Sequence, residues 1–129
     1  MIAGIDHFVL TVASIARTSA FYGDVLGMTV QTFRPADGST RTALSFGAHK
    51  INLHQAGHEF DPKAASPVPG SGDFCLISEA PTADWQAHFA ALSVAVEDGP
   101  VARTGATGPL VSLYIRDPDG NLVEIARPA

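Results

Sequence analysis

The chain has 129 residues and a formal net charge of -5 at pH 7, and 46% of its residues are hydrophobic against 16% that are charged. This composition is typical of a folded globular protein, and the length suits one compact domain or two small repeated halves that share a core. The negative charge, without any basic cluster, argues against a nucleic-acid binder and against a binder of anionic membranes.

The first half of the chain predicts a strand, a helix and three further strands. β-Branched and aromatic residues over 5–12 favour a strand, with His7 on its odd-numbered face. Ser14 is a suitable N-cap for a helix to about residue 26, which Gly27 would end. The three strands that follow are expected at 28–34, 42–46 and 50–55.

The second half predicts the same order after a linker at about 57–72, which is rich in proline and glycine. Its expected elements are a strand at 73–78, a helix at 82–92 capped by Thr82 or Ser78, a short strand at 95–97, a loop at 99–109 and a closing hairpin at 110–126. Within the hairpin, Asp117–Asn121 is a tight turn, because Pro118 pre-sets φ and Gly120 permits positive φ.

The repeated order of elements indicates an internal duplication. We expect module one at about 1–56, the linker at about 57–72 and module two at about 73–129, within a single domain of residues 1–129. The sequence identity between the two halves is slight, so the prediction depends on the order of the elements.

Four polar side chains occupy the first and last strands of the two halves. The residues are His7, His54, Asp73 and Glu124. Glu124 has apolar neighbours in its strand, and a buried carboxylate is costly unless it is paired or bound to a cation. Two imidazoles and one or two carboxylates suit Zn, Ni, Mn or non-haem Fe(II). The set therefore predicts a divalent metal site.

Simpler roles are open to each of these residues. His7 could be hydrogen-bonded or half-exposed, His54 could face solvent, and Asp73 could be a cap or turn residue. The arginines that could pair with Glu124 instead of a metal are Arg41, Arg116 and Arg127.

The cytoplasm is the expected location. Cys75 is the single cysteine, which excludes an internal disulfide framework and indicates a reducing compartment. Asp6 and His7 interrupt the first apolar stretch, which has no basic region before it, so we do not expect a signal peptide. No apolar run reaches transmembrane length, and we expect no membrane partner.

Several segments together resemble the vicinal oxygen chelate superfamily, which includes glyoxalase I, extradiol dioxygenases, fosfomycin-resistance enzymes and bleomycin-binding proteins. The segments are 5–12, Phe21-Tyr22 with Leu26-Gly27, and 117–121 with Val123-Glu124. A closer resemblance, to the group called glyoxalase domain-containing protein 5, lies in 50–55, 59–65 and 99–106. The resemblance implies an α+β fold of two paired βαβββ modules, whose curved sheets form a metal-binding cup.

The resemblance also implies roles for residues. Superfamily ligands lie on first and last strands, which implies that His7 and Glu124 bind the metal. A resemblance to glyoxalase I would put a carboxylate on the fourth strand and a histidine at the start of module two, whereas this chain has His54 and Asp73 there. Asn52, on the same face as His54, is the alternative if the alignment shifts by two residues.

The implied chemistry is that of a metal holding two neighbouring oxygens of a small substrate and stabilising negative charge on an enediolate-type or catecholate species. Glu124 would move the proton in a glyoxalase-like reaction, with Asp73 as second candidate. The extradiol-type alternative uses Fe(II), and a third alternative is a metal-free binding protein of the bleomycin-resistance type. Arg103, in the predicted loop, could bind an anionic substrate. Small superfamily proteins are commonly homodimers.

Overall fold

The computed structural model describes residues 1–129 and contains eight strands and two helices. The elements are β1 His7–Val12, α1 Ile15–Asp24, β2 Thr29–Phe33, β3 Arg41–Phe46, β4 His49–Gln55, β5 Asp73–Ile77, α2 Thr82–Ala91, β6 Asp98–Thr104, β7 Pro109–Arg116 and β8 Leu122–Pro128. The order βαβββ thus occurs twice, which confirms the α+β fold class. Two compact units contain the two repeats, unit 1 at Met1–Gly70 and unit 2 at Ser71–Ala129.

Unit 1 is a four-stranded sheet in the order β1-β4-β3-β2, with β1 parallel to β4 and the other pairs antiparallel. Helix α1 begins after Ser14, whose side chain accepts a hydrogen bond from the backbone N–H of Arg17 at 3.2 Å, as the sequence predicted. The helix packs on one face of the sheet, where the buried side chains include Leu10, Val12, Tyr22, Leu44, Ile51 and Leu53. Burial of each large apolar side chain contributes about 1.5–3 kcal/mol, so this face is the core of the unit.

Unit 2 repeats the arrangement with the order β5-β8-β7-β6. Helix α2 packs near β7, and the buried residues include Phe89, Leu113, Ile115, Val123 and Ile125. The predicted N-caps of α2 are wrong, because Pro81 occupies that position without a side-chain cap. Ser78 instead accepts a hydrogen bond from the Trp85 indole N–H at 2.8 Å, which fixes the indole beside the sheet.

The prediction of a loop at 99–109 is wrong, because Asp98–Thr104 forms β6 and pairs with β7. Gly99 and Pro100 gave the loop signal. They lie where the pairing register of β6 with β7 shifts, between Asp98 and Val101. Such an irregularity accommodates a proline, which has no N–H to donate to the ladder, and a glycine, which has no side chain to pack. The short strand predicted at 95–97 does not form.

The turn at Asp117–Asn121 is confirmed, and it fixes the edge of unit 2 that carries the candidate site. Asp117 accepts hydrogen bonds from the backbone N–H groups of Asp119 and Asn121, both at 3.0 Å, and from the Asn121 side-chain amide at 2.7 Å. Asn121 accepts a bond from the N–H of Gly72 at 2.7 Å, and the N–H of Leu122 donates to the Gly72 carbonyl. These bonds align the first residues of β5 and β8. Neither helix of the chain is long and apolar enough to cross a membrane.

Candidate functional site

Each sheet has one face that its own helix does not cover, and the predicted site residues lie on these faces. In unit 1, residues that pair across the ladders project from the same side of the sheet. We call that side the open face of unit 1. Its residues are His7, Val9 and Thr11 on β1, Lys50, Asn52 and His54 on β4, Arg41, Ala43 and Ser45 on β3, and Thr29, Gln31 and Phe33 on β2.

His7 is the first residue of β1 and lies opposite Lys50. Its side chain is 42% exposed, and its Nδ1 lies 2.7 Å from Oδ1 of Asp6. An imidazole has two ring nitrogens, so this contact orients the ring and leaves Nε2 for another partner.

His54 lies on the same face as His7 but four positions further along, opposite Thr11. The residue is 6% exposed, and its ring packs edge-on against Phe60 with centroids 5.4 Å apart. Arg41 stacks over the same phenyl ring at 4.1 Å. Burial lowers the pKa of His54, and the nearby Arg41 charge lowers it further. The alternative in which His54 faces solvent is therefore wrong: the imidazole is buried and held in its neutral form.

Asn52 lies between Lys50 and His54 on β4, opposite Val9. Its Oδ1 atom is buried and accepts no hydrogen bond. A buried acceptor without a partner costs about 1–3 kcal/mol, so this atom needs an explanation.

Glu124 lies in β8, opposite Cys75 on β5 and Tyr114 on β7. Its Oε1 accepts a hydrogen bond of 2.6 Å from the hydroxyl of buried Ser112. The predicted alternative of an ion pair with Arg116 is wrong, because Arg116 binds Glu97 at 2.9 Å.

The thiol of Cys75 shares this surface with Glu124. Partial burial, the charge of Glu124 and a hydrogen bond to that carboxylate together raise the pKa of Cys75 to about 11. The thiol is therefore protonated at neutral pH, although the residue as a whole is exposed.

Asp73 is exposed and begins β5 opposite Leu122, two positions from the pair of Cys75 and Glu124. The same relationship holds in unit 1, where His7 begins β1 opposite Lys50 and Asn52 lies two positions further along β4. By register, Asn52 and not His54 is the counterpart of Glu124. The predicted correspondence of His54 with Glu124 is shifted by two residues.

Each unit thus places two candidate donors on neighbouring strands, His7 with Asn52 and Asp73 with Glu124. Neither unit contains a group of three or more His, Cys, Asp or Glu side chains that could hold a metal ion. The unpartnered Asn52 oxygen is nevertheless of the type that a divalent cation satisfies.

Arg103 lies within β6 and not in a loop. Its Nε donates to the Tyr114 hydroxyl at 2.9 Å, and its Nη2 lies 3.6 Å from Asp98. Both contacts hold the guanidinium against its own sheet.

A model of the Glyoxalase/Bleomycin resistance protein/Dioxygenase superfamily matches residues 4–125. The chain belongs to this superfamily. Two relatives are similar to this chain along nearly all of its sequence. Virulence protein STM3117 of Salmonella typhimurium is 51% identical over 123 residues, which are 95% of this chain and 83% of that protein. Glyoxalase domain-containing protein RDO1 of Mycosarcoma maydis is 47% identical over 125 residues, 97% of this chain and 68% of that protein.

Solved structures support the superfamily fold. The crystal structure of virulence protein STM3117 superposes with a TM-score of 0.94 at 50% identity and covers 100% of this chain and 99% of that one. Lactoylglutathione lyase from Agrobacterium tumefaciens superposes with a TM-score of 0.71 at 25% identity, covering 98% of this chain and 95% of that one.

Proposed function

We propose that this protein is a metal-dependent enzyme of the glyoxalase or extradiol dioxygenase type, acting on a small substrate that offers two neighbouring oxygens. The observation that carries the proposal is the buried Asn52 Oδ1 without a hydrogen-bond partner, at the register position that corresponds to Glu124. A divalent cation compensates such an acceptor, whereas an ordinary structural asparagine would have a protein partner.

The proposed ligands are His7, Asn52, Asp73 and Glu124. Asn52 takes the place first expected for His54, because His54 is buried against Phe60. Zn, Ni, Mn and Fe(II) all suit this donor set. When bound, the ion would hold the two substrate oxygens and stabilise negative charge on them.

The chain itself would supply positioning and proton transfer. Ser112 holds Oε1 of Glu124 at 2.6 Å, which leaves Oε2 of that carboxylate to take or return a proton. Asp73, exposed on the neighbouring strand, is the second candidate for this role. His7 would be oriented by Asp6.

The relatives supply further support. The RDO1 relative is named as a glyoxalase domain-containing protein, and one of the similar solved structures is a lactoylglutathione lyase. From the motifs in the sequence we also infer closeness to the glyoxalase domain-containing protein 5 group. A single domain of residues 1–129, a homodimer and a cytoplasmic location belong to the same proposal. Sedimentation equilibrium would test the dimer.

A metal-free protein that binds small molecules is the second candidate. It is favoured by the protein partners that both central side chains already have, Asp6 beside His7 and Ser112 beside Glu124. In this alternative the two residues are ordinary hydrogen-bonding groups.

Metal analysis separates the two functions. Protein purified without chelators is expected to carry about one divalent ion per site, which His7→Ala and Glu124→Ala lose. His58→Ala and Glu79→Ala remove the same side-chain types from exposed positions and are the matched controls. If the wild-type protein stays without metal even after reconstitution, the metal-free binding function is supported instead. A screen of hemithioacetals and catechols would then identify the reaction.

A further inference from the structure

The open face of unit 1 carries two cationic side chains, Arg41 and Lys50, and not one aspartate or glutamate among its twelve positions. This is unusual in a chain whose net charge is -5. The charge of Arg41 is compensated, because its Nη2 lies 2.8 Å from Asp37. Lys50 is not within ion-pair distance of any carboxylate: the neighbouring Asp6, which attracts it at longer range, has its close contact with His7.

The ammonium group of Lys50 nevertheless has a defined position. Its Nζ lies 4.2 Å from the centre of the Phe33 ring, in the range of a cation–π contact. Lys50 is on β4 and Phe33 is on β2, so the aliphatic stem crosses β3, where Ala43 is the residue between them. Ala43 is only 1% exposed although it lies on the open face, as expected if the stem covers it. The small alanine side chain leaves room for that path.

The backbone of Lys50 adjoins the proposed ligands of unit 1, and the side chain carries the ammonium from there across the open face to β2. It pairs in register with His7, and Asn52 with its unpartnered oxygen follows two residues later on the same strand. A lysine that is partly buried and held in place without a direct ion-pair partner attracts an anionic group more strongly than a mobile, solvated lysine does, because less solvation and less side-chain entropy are lost on binding.

We propose that Lys50 is the subsite for an oxyanion group of the ligand, a carboxylate or a phosphate. This inference rests on the proposed function. It assigns the substrate of that function to the small organic anions. Nζ would donate charge-assisted hydrogen bonds to the oxyanion, and the Phe33 ring would keep the ammonium in position.

Binding of simple probes tests this subsite. Succinate, methyl phosphate and the neutral analogue succinamide are titrated into the ¹⁵N-labelled full-length protein at constant pH and ionic strength. Each titration is run with the protein as purified and after treatment with a chelator. The variants are Lys50→Met, which keeps the stem over Ala43, Lys50→Arg, which keeps the charge, and Arg17→Met, which removes one exposed positive charge from α1.

We expect at least one of the two anions to bind the wild type, with shifts centred on β2 to β4, and succinamide to bind at least about tenfold more weakly, as loss of a charge-assisted hydrogen bond predicts. Lys50→Met should lose about tenfold or more in anion affinity, while Lys50→Arg and Arg17→Met retain it. The tighter of the two anions assigns the class. The proposal is overturned if neither anion binds, if succinamide binds equally well, or if well-folded Lys50→Met keeps wild-type affinity.

Metal content measured on the same samples separates this proposal from the proposed function. Lys50→Met is expected to carry as much metal as the wild type. If anion binding depends on Lys50 but the protein holds no metal, the anion subsite is supported and the metal-dependent enzyme is contradicted. If the protein holds its full metal content but Lys50→Met leaves anion affinity unchanged, the enzyme is supported and the anion subsite is contradicted.

Discussion

The hydroxyl of Ser112 on β7 donates a 2.6 Å hydrogen bond to Oε1 of Glu124 on β8. Ser112 is 0% exposed, and its register partner is Ala126, so the bond runs diagonally across the strand pair. It fixes one oxygen of the carboxylate and therefore the direction of the other.

Ser112→Ala should weaken metal binding by about tenfold or more, since groups that orient metal ligands typically contribute 10- to 100-fold in affinity. Competition of the protein with a chromogenic chelator measures the change. Ser78→Ala is the control, because it also removes a part-buried serine hydrogen bond in unit 2, from Trp85, without touching Glu124. Equal metal affinity in wild type and Ser112→Ala would show that the bond only stabilises the sheet.

Asn52→Asp should act in opposite directions on stability and on metal binding. The variant places a carboxylate at a part-buried position where no protein donor bonds the Oδ1 atom. We therefore expect the free energy of unfolding of the metal-free protein to fall by about 1–3 kcal/mol. The added negative charge should at the same time tighten binding of a divalent ion. Urea denaturation with and without metal measures both effects. Asn52→Leu is the comparison, and it should lose metal without a comparable loss of stability. Unchanged metal affinity in both variants would remove Asn52 from the ligand set.

The sequence predicted most of the fold because the local signals agreed with the tertiary structure. The duplicated βαβββ order, the Ser14 cap and the Asp117–Asn121 turn are all set by interactions between residues close in the chain. Strand β6 was missed for a physical reason. The local preferences of Gly99 and Pro100 favour a loop, and only pairing with β7 makes this segment a strand.

The candidate site depends on the pairing register of the strands, which could not be predicted from the sequence. Alternation along β4 showed that Asn52 and His54 share a face, but only the ladder with β1 shows which of them corresponds to Glu124. The burial of His54 under Phe60 likewise depends on where the linker packs. The side chain of Lys50 reaches from β4 across Ala43 on β3 to Phe33 on β2, and no spacing in the sequence indicates this contact.

Gly99→Ala should destabilise the protein by about 3 kcal/mol, by the combined cost of strain and a backbone clash. Gly99 has φ 111°, and an added Cβ would press on the Ser112 carbonyl oxygen and on Leu113. Gly47→Ala is the matched control, because Gly47 also has positive φ, 52°, but open space around its Cβ position. That variant should lose only about 1–2 kcal/mol. Chemical denaturation measures both, and equal losses would mean that the strand β6 bulge tolerates a side chain.

Stability of the chelator-treated protein should fall as the pH is lowered from about 7.5 to 5, and His54 should be a cause. Burial first, and then the Arg41 charge, lower the pKa of His54 from its ordinary 6.5. Below pH 6.5 the unfolded chain therefore binds a proton that the folded protein resists, so the free energy of unfolding decreases until the folded pKa is reached. The decrease should be smaller in His54→Phe, which keeps the ring contact with Phe60, and unchanged in His58→Gln, which alters an exposed histidine. Urea denaturation across this pH range measures the slope, and NMR titration of the imidazole measures the pKa itself. A His54 that titrates at or above 6.5 would contradict the buried, neutral imidazole and would reopen its candidacy as a ligand.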